Sequence, residues 1–342
     1  MKEMVSLYCG VGAIEEAIKN TGIEHEVIAA CDYEDHVKET YLTLNPGVNY
    51  IHDVTTIKPG DIEKEPWLLS HGSPCQDFSI NGKEEGGDEG TGTRSSLMHV
   101  SVDVIKDVMP EVVAWENVKN SIGPKHIHNA HRYIAALDKL GYKSSMKILN
   151  SNDYNIPQGR ERVFVISQLN GEEFVFPDKV ERTTKLIDLC RFREQDDITD
   201  NFKRYYYSNV GDDGLTKYQK MGVDFNTFIK ELKPGRTNVI NMGMYKYDQL
   251  NRITVVDDSL KVKSPTLSCR GAQNYTIKYL YNGRIYKPSP LMCALLMGFS
   301  EESFNKIKHI GTDSQLIDRF GNSIVVQVWE AILNKLNESY GD

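Results

Sequence analysis

Short apolar runs alternate with amphipathic stretches through the first 170 residues of the chain. Runs with the length and composition of buried strands cover residues 4–9, 26–31, 67–71, 112–116 and 163–167. Stretches with helical spacing of their apolar residues cover 12–22, 34–44, 96–108 and 130–141. This alternation predicts an α/β fold with a mostly parallel sheet and helices on both faces. A helical stretch at 321–336 would suit the same sheet, so we expect the C-terminus to complete the first domain.

The length and composition indicate an ordinary globular protein. With 342 residues, of which 40% are hydrophobic, the chain can form at least one large core and is expected to have two domains. The N-terminus lacks a basic region followed by a long apolar stretch, and no run approaches the length of a membrane span. Six cysteines are scattered without a C-x-x-C pair, which argues against disulfides or a metal site. We therefore expect a soluble, cytoplasmic protein without a metal.

The charge distribution singles out the middle of the chain. The whole sequence carries a net charge of −8, but residues 179–287 contain 20 Lys and Arg against 13 Asp and Glu. This segment is also rich in tyrosine and loses the alternation of the first half. A basic segment in an acidic chain is typical of a nucleic-acid-binding module, because neutralising phosphates supplies most non-specific affinity. Chance variation along the sequence is the alternative reading.

Glycines and acidic residues mark the expected carboxyl ends of the first strands. Gly10 and Gly12 form a strand-to-helix turn, Asp32 ends the second strand, and Asp53 ends the short third run. This edge of an open α/β sheet binds ligands, and a carboxylate after the second strand commonly holds ribose hydroxyls. The turn lacks the full GxGxxG pattern for a pyrophosphate, which favours an adenosine ligand without phosphates. A plain tight turn is the alternative.

Reactive side chains are expected at the same edge of the sheet. Cys75 follows a predicted strand and comes just before the stretch 81–96, whose five glycines and four acidic residues predict a mobile loop. Glu116 ends another strand, and Arg160 and Arg162 precede a third. Taken singly, the carboxylate could be a helix cap and the arginines a solvated face. Together, a thiol, a carboxylate and two guanidiniums at strand ends of one sheet favour a covalent active site.

The chain resembles the DNA (cytosine-5)-methyltransferases, and the resemblance rests on blocks that occur in that family's order. They cover the chain except its middle: 6-SLYCGVGAIEEAI-18, 72-GSPCQDFSINGK-83, 93-TRSSLMHVSVDVIK-106, 116-ENVKN-120, 150-NSNDYNIPQGRERVFVI-166, 264-SPTLS-268, 284-RIYKPSPLMCALLMGF-299 and 320-FGNSIVVQVWEAI-332. The PCQ, ENV and QxRxR blocks together are highly specific. The resemblance implies a Rossmann-like methyltransferase sheet and a smaller, irregular, mainly β target-recognition domain.

The resemblance implies a chemical role for four residues. Cys75 matches the thiolate that adds to carbon 6 of cytosine and so prepares carbon 5 to take the methyl group of S-adenosylmethionine. Glu116 matches the carboxyl group bonded to ring nitrogen N3 and the exocyclic amine. Arg160 and Arg162 match donors to the ring oxygen that stabilise the developing charge. Pro74 and Gln76, on either side of Cys75, are expected to hold the loop of the nucleophile.

The resemblance also implies a site for S-adenosylmethionine, which would leave as S-adenosylhomocysteine. Its expected residues are Tyr8, Gly10, Gly12, Asp32, Tyr33, Asp53, Pro74, Leu97 and Asn322. Among them, Asp32 is assigned to the ribose, and Asp53 to the amino group of the adenine. The chain departs from the family in having Ser6 where an acidic residue is usual and Ala13 where a second glycine is usual. These departures are expected to weaken cofactor binding modestly and to leave the chemistry intact.

The target cytosine has to leave the duplex for this chemistry, at a cost on the order of a few kcal/mol. The loop from Ser73 to about Ser95 is the expected lid. The residues expected to contact DNA are Gln76, Ser79, Lys83, Arg94, Thr266 and Arg270. Thr266 resembles the threonine that fixes the phosphate backbone at the target. Side chains in 179–287 would select the recognition sequence through groove contacts.

The expected domains are 1–178 with 315–342 for catalysis and cofactor binding, 179–287 for target recognition, and 288–314 as a hinge. We expect a monomer acting on double-stranded DNA, because one active site and one recognition module suffice. It would belong to a restriction-modification system with a separate cognate endonuclease, or be an orphan or phage methylase. Two alternatives stay open: a tRNA (cytosine-5)-methyltransferase of the same family, and a DNA-binding relative that has lost catalysis. The large variable domain favours DNA, and the complete set of expected catalytic residues favours activity.

Overall fold

The computed structural model describes residues 1–73, 97–169, 171–208, 222–233, 237–241, 250–267 and 277–340. The chain divides into two compact units. The first unit consists of Met1–Asn150, Glu161–Lys179 and Val326–Asp342, and the second of Ser151–Arg160 and Val180–Val325. Each unit is therefore assembled from segments that are distant in the sequence.

The first unit is built on one mixed sheet. Within the described residues its seven strands are β1 (Lys2–Leu7), β2 (His25–Cys31), β3 (Tyr50–Ile51), β4 (Leu68–His71), β5 (Val112–Val118), β6 (Tyr142–Asn150) and β8 (Glu161–Leu169). Their order is β3-β2-β1-β4-β5-β8-β6. The first five are parallel to one another, and β8 is antiparallel to both β5 and β6. The strand order reverses between β1 and β4, which is the point where open α/β sheets bind ligands beyond the carboxyl ends of their strands.

The helices of this unit follow the strands along the chain. They are α1 (Ala13–Thr21), α2 (Asp35–Leu44), α3 (Leu97–Val108), α4 (Ile127–Lys139) and, at the C-terminal end, α11 (Val326–Tyr340). Gly22 follows the last residue of α1 and caps the helix. Its φ of 73° is favourable for glycine, and its amide donates to the carbonyl of Lys19. α11 packs against α1, where Asn20 Nδ2 donates to Glu330 Oε1 over 2.6 Å.

Apolar side chains from the sheet and helices form the core of the first unit. Val5, Leu69 and Val113 from neighbouring parallel strands are fully buried and pack with Ile105 and Leu137 of the helices. Parallel strands covered on both faces are expected to be apolar throughout, which is why they were visible as continuous runs in the sequence. Each such side chain contributes roughly 1.5–3 kcal/mol by its burial. This core stabilises the sheet whose carboxyl edge carries the predicted site residues.

The second unit contains a smaller sheet and short helices. Its described strands are β7 (Gln158–Gly159), β9 (Thr237–Asn241), β10 (Leu250–Val255), β11 (Ser264–Pro265), β12 (Ile277–Tyr281) and β13 (Arg284–Tyr286). Four of them form a sheet in the order β13-β12-β10-β9, and β11 pairs with β7. Its described helices are α5 (Leu186–Leu189), α6 (Thr199–Ser208), α7 (Phe225–Glu231), α8 (Pro290–Leu296), α9 (Glu301–Ile307) and α10 (Asp313–Asn322). A separate apolar cluster includes Phe202, Phe228, Ile253 and Ile285.

The predicted fold class is confirmed: the chain has a large, mostly parallel sheet flanked by helices, together with a smaller β region. The strand β6 was not predicted, and neither was the antiparallel direction of β8. Residues 151–160 and 180–325 group in the second unit. The predicted division into catalytic, target-recognition and hinge segments stays a prediction. Within the described residues, no helix is long and apolar enough to cross a membrane.

Candidate active site

Glu116 and Arg162 form an ion pair at the end of β5. Arg162 lies opposite Val118 in the antiparallel pairing of β5 with β8. Its Nε is 3.2 Å from Glu116 Oε1, and its Nη1 donates to the carbonyl of Glu161. The two side chains are 10% (Glu116) and 17% (Arg162) exposed. The ion pair is therefore partly shielded from water, which strengthens the attraction between the two charges. The structure thus brings together two of the predicted catalytic residues.

Gly72 follows β4 and lies beside this carboxylate. β4 and β5 run parallel with His71 opposite Trp115, so Gly72 comes next to Glu116. A Cβ at residue 72 would be 3.7 Å from Glu116 Oε2, so any larger side chain would occupy space beside this oxygen. A glycine here keeps that side of the carboxylate accessible.

Ser73 is fastened to β5 immediately before the predicted nucleophile segment. Its Oγ accepts a hydrogen bond from Trp115 Nε1, and its carbonyl accepts one from Asn117 Nδ2, each over 3.2 Å. Ser73 is buried, so these bonds replace water that the group has lost. The sequence reasoning missed both donors, although each adjoins Glu116 in the ENV block and could have been found there.

A buried polar pair lies behind this segment. His71 Nε2 and Tyr133 Oη are 2.6 Å apart, and both side chains are fully buried. Burial lowers the pKa of His71 to about 3, so the imidazole is neutral at physiological pH. The pair is therefore an uncharged packing element beneath the carboxyl ends of β4 and β5.

The turn between β1 and α1 has the geometry of a ligand-binding turn. Tyr8, Gly10 and Gly12 have φ values of 56°, 54° and 83°, a run of left-handed positions. The Gly10 amide donates to Asp32 Oδ2 over 2.9 Å, and the Glu34 amide donates to Oδ1 over 3.1 Å. A Cβ on Gly10 would meet no atom of the described residues within 4 Å, so this part of the chain leaves room beside the turn.

The carboxyl group of Asp32 is held in a fixed orientation. Burial raises the pKa of Asp32, and the amides of Glu34 and Gly10 oppose that rise by bonding to the charged form. A carboxylate has about four acceptor positions, so two backbone donors leave capacity for ribose hydroxyls. The structure brings Gly10 and Asp32 together as the sequence predicts.

Aromatic side chains flank this acid. Tyr33 is 68% exposed, and its ring stacks on that of His52 with centroids 5.1 Å apart. Tyr8 Oη donates to the carbonyl of Leu97 over 2.9 Å, which joins two of the predicted cofactor residues. Asp53 Oδ1 accepts from both the amide and the hydroxyl of Thr55. An exposed ring and fixed carboxylates fit an adenosine, and His52 is a member of this group that the sequence reasoning missed.

Among the described residues, three predicted site residues belong to the second unit. The guanidinium of Arg160 donates to the carbonyls of Leu267, Gly321 and Ser323. The hydroxyl of Thr266 donates to the carbonyl of Gly159. Asn322 is exposed at the end of α10.

The remaining predicted site residues lie outside the described part of the chain: Pro74, Cys75, Gln76, Ser79, Lys83, Arg94 and Arg270. Their roles stay predictions. Within the described residues, no cluster of three or more His, Cys, Asp or Glu side chains could hold a metal ion.

Comparisons with known proteins identify the class to which this fold and site belong. The model of the C-5 cytosine-specific DNA methylase family matches residues 2–338. Type II methyltransferase M.HhaI of Haemophilus parahaemolyticus is 28% identical over 341 residues, which cover 98% of this chain and 94% of the relative. Type II methyltransferase M2.ScrFI of Lactococcus lactis subsp. cremoris is 28% identical over 309 residues, 89% of this chain and 75% of the relative. The orphan methyltransferase M.SssI of Spiroplasma monobiae is 30% identical over 277 residues, 79% of this chain and 65% of the relative.

Solved structures agree on the fold. The Entamoeba histolytica methyltransferase EhMeth superposes with a TM-score of 0.73 at 14% identity, covering 100% of this chain and 99% of that one. The S. pombe Dnmt2 methyltransferase superposes with a TM-score of 0.63 at 19% identity, covering both chains fully. The chain belongs to the C-5 cytosine-specific DNA methylase family, which confirms the resemblance stated above. It is a cytosine-5 DNA methyltransferase by family, and that class uses S-adenosylmethionine.

Proposed function

We propose that this protein methylates carbon 5 of a flipped-out cytosine at one short site in double-stranded DNA, through a covalent adduct with Cys75. The observation that carries the proposal is the ion pair between Glu116 and Arg162 at the end of β5. It lies beside β4, the strand from which the chain runs through two residues, Gly72 and Ser73, into the PCQ block.

The proposed reaction begins with addition of the Cys75 thiolate to carbon 6 of the cytosine. A carbon–sulfur bond forms, and the ring electrons shift toward N3, where Glu116, which has taken up a proton when the cytosine binds, supplies that proton. Carbon 5 is then an enamine carbon and takes the methyl group. When bound, S-adenosylmethionine supplies that group as a sulfonium substituent and leaves as a neutral thioether. A base or water removes the carbon 5 proton, the 5,6 double bond forms again, Cys75 leaves as thiolate, and N3 returns its proton to Glu116.

Arg162 supports the proton transfer through its positive charge beside Glu116. The carboxyl group becomes negative when it gives its proton to N3, and the guanidinium at 3.2 Å stabilises that charge. Oε1 lies beside Arg162, and Oε2 lies beside Gly72, which places no side chain next to it. Positioned acid–base groups of this kind contribute about 10²–10⁴ in rate.

For the cofactor, we assign Asp32 to the ribose and Asp53 to the adenine amino group. The backbone amides that hold both oxygens of Asp32 support this assignment, since they fix the direction of its remaining acceptor positions. Tyr8 and Tyr33 would contact the adenine, and the stacking of His52 on Tyr33 supports a ring held ready for a flat ligand. The expected contacts from Pro74, Leu97 and Asn322 complete the proposed site.

The basic segment 179–287 is proposed to bind and select the DNA site, with Thr266 at the phosphate backbone. Flipping the base costs on the order of a few kcal/mol, which contacts to the displaced strand and pocket would offset. We propose a monomer that acts in the cytoplasm of a bacterial or phage-infected cell. It would serve a restriction-modification system or act as an orphan methylase.

Covalent trapping tests this proposal. Duplex DNA carrying 5-fluorocytosine at the target cannot lose its carbon 5 substituent as a proton, so the adduct with Cys75 should persist through denaturing electrophoresis. We expect a trapped complex that requires S-adenosylmethionine and is absent in the Cys75→Ser variant. Trapping on 5-fluorocytosine tRNA but not on duplex DNA would favour the RNA alternative. Specific DNA binding without any adduct would favour a relative that has lost catalysis.

A further inference from the structure

The second unit contains a buried arginine whose contacts suggest a different role from that of Arg162. We propose that Arg160 is a positioning residue, which holds the backbone on both sides of Asn322 and next to Thr266 and does not contact the cytosine. This inference rests on the proposed function, since Asn322 and Thr266 are the expected cofactor and DNA contacts. It replaces the expectation that Arg160 donates to the ring oxygen.

Three hydrogen bonds in the described part of the chain join Arg160 to main-chain carbonyls of its own unit. Its Nη2 donates to Gly321 over 3.2 Å and to Ser323 over 2.6 Å, and its Nη1 donates to Leu267 over 2.7 Å. Only 3% of the residue is exposed. The planar guanidinium suits such a task because it offers five donors in one fixed fork.

On one side, the guanidinium completes the end of α10. The last carbonyls of a helix lack intrahelical donors, and a cation there is favoured by the helix dipole. The Gly321 and Ser323 carbonyls flank Asn322, which is exposed at the last helical position. Arg160 thereby fixes the direction in which the backbone presents Asn322.

On the other side, the guanidinium extends a very short strand pairing. β7 and β11 pair over two residues, Gln158 with Ser264 and Pro265 with Gly159. Beyond that pairing, the Leu267 amide donates to Gln158 Oε1 over 3.1 Å, and the Leu267 carbonyl accepts from Arg160. Both backbone groups of Leu267 are therefore held by side chains of the QxRxR block.

Hydrogen bonds hold both the side chain of Thr266 and the backbone of the residue that follows it. Its hydroxyl donates to the carbonyl of Gly159, and the next residue is held by Gln158 and Arg160. One guanidinium thus sets the backbone of the expected DNA contact and of the expected cofactor contact within the same unit. Turning Arg160 toward a base would remove the donor from three carbonyls, and stranded buried carbonyls are costly.

The contacts of Arg162 differ from those of Arg160. Arg162 Nε lies 3.2 Å from Glu116 Oε1, and its side chain is 17% exposed, so it lies beside the carboxyl group proposed to act on the base. Two arginines at i and i+2 therefore have separate roles: Arg162 acts at the reacting base, and Arg160 holds the backbone around the two binding contacts.

The test compares Arg160→Lys with two matched variants. Lysine keeps the charge but cannot bridge three carbonyls, so we expect KM for S-adenosylmethionine and for duplex DNA each to rise about 3- to 10-fold, with kcat at saturation within about twofold. Arg162→Lys is expected to lower kcat instead. Arg319→Lys controls for the loss of a buried arginine in α10 itself, because Arg319 Nη1 donates to the Ile310 carbonyl over 2.6 Å and not to the carbonyls beside Asn322. It should lower thermal stability and leave both KM values unchanged.

Binding to a duplex whose target base is missing separates positioning from base contact. Arg160→Lys should weaken this binding by the same factor as its KM for intact DNA, because the lost contact does not involve the base. Unchanged affinity for the abasic duplex, combined with a large fall in kcat, would overturn the proposal and restore Arg160 as a base contact. A fall only in the fraction of active enzyme, with both KM values unchanged, would also overturn it, since that result indicates a purely structural role.

Calorimetry of the wild-type protein with S-adenosylmethionine keeps this inference distinct from the proposed function. If the wild type binds neither the cofactor nor DNA, the proposed function fails; if it binds both and Arg160→Lys binds equally well, the inference alone fails. If Arg160→Lys does not fold, hydrogen exchange of the wild-type protein is measured in place of the binding experiments on the variant. Cofactor binding is expected to protect the amides of Ser264, Thr266 and Leu267 as well as those of 320–323, and protection confined to 320–323 would refute the link.

Discussion

Replacing Glu116 with glutamine should lower the rate of methyl transfer far more than it lowers the free energy of unfolding. The carboxylate is 3.2 Å from Arg162 Nε, where unit charges attract by about 5 kcal/mol at an effective dielectric constant of about 20. Desolvation of the two charged groups and screening by solvent offset much of that attraction. Because both side chains retain some exposure, we expect Glu116→Gln to lower the free energy of unfolding by about 1–2 kcal/mol. That is a small part of the roughly 5–15 kcal/mol typical of a domain, so the variant should stay folded.

The rate should fall much further than the stability. Glutamine keeps the shape of the side chain but cannot give N3 a proton, so kcat for methyl transfer should fall about 10²- to 10⁴-fold. Single-turnover transfer to duplex DNA measures the fall, with urea unfolding of the same preparation alongside. Cofactor affinity should be unchanged, because Asp32 and its backbone donors lie at other strands of the sheet.

Glu161→Gln is the matched control for this change. Glu161 adjoins Arg162 in sequence but pairs with Lys119 on the surface, with 47% of its side chain exposed. It should change kcat by less than about twofold, since surface pairs contribute little. If Glu116→Gln retained a rate within about tenfold of the wild type, Glu116 could not be the group that protonates N3.

Three further predictions concern the cofactor turn and the second unit. Asp32→Asn should weaken S-adenosylmethionine binding about tenfold or more in calorimetry, because it removes a charged acceptor and turns an amide toward the Gly10 amide. Gly12→Ala should lower the free energy of unfolding by about 1–2 kcal/mol or more, since φ is 83° and the new Cβ would lie 3.0 Å from Asn45 Nδ2, whereas Gly10→Ala adds strain without a clash. Burial lowers the pKa of Lys278 from its usual 10.5 to about 8, so the unfolded chain holds a proton between pH 8 and 10.5 that the folded chain has released, and stability rises with pH across that window. Lys278→Met should therefore stabilise the protein at pH 7, by up to about 3 kcal/mol, and this gain should shrink as the pH rises toward 10.5 in thermal unfolding.

The sequence predicted the parts of the fold that carry a strong apolar pattern. The buried strands β1, β2, β4 and β5 are continuous apolar runs, because both of their faces are covered. β6 was missed because it is an edge strand with four exposed residues, and YKSSMKILN has no clear alternation. The antiparallel direction of β8 depends on how the chain returns through the residues between β6 and β8, which apolar periodicity does not encode.

The sequence predicted the site residues that lie at strand ends. It did not predict the contacts that site residues make with distant segments of the chain. Gly10 and Asp32 could be expected to meet, since carboxyl ends of parallel strands share one edge. The i, i+2 spacing of Arg160 and Arg162 suggested one shared role, yet Arg160 precedes β8 and bonds to segments more than a hundred residues away. His52 had no signal of its own, because its stacking on Tyr33 depends on the pairing of β3 with β2.

The central claim is cytosine-5 methylation of duplex DNA through Cys75, and it is tested most directly by methyl transfer itself. The measurement is incorporation of label from S-adenosylmethionine into duplex DNA, with bisulfite sequencing of the product and the Cys75→Ser variant in parallel. We predict methylated cytosines confined to one short sequence motif, and no label with the variant. Unmethylated DNA beside labelled tRNA would contradict the choice of substrate, and label in neither nucleic acid would contradict the enzymatic account.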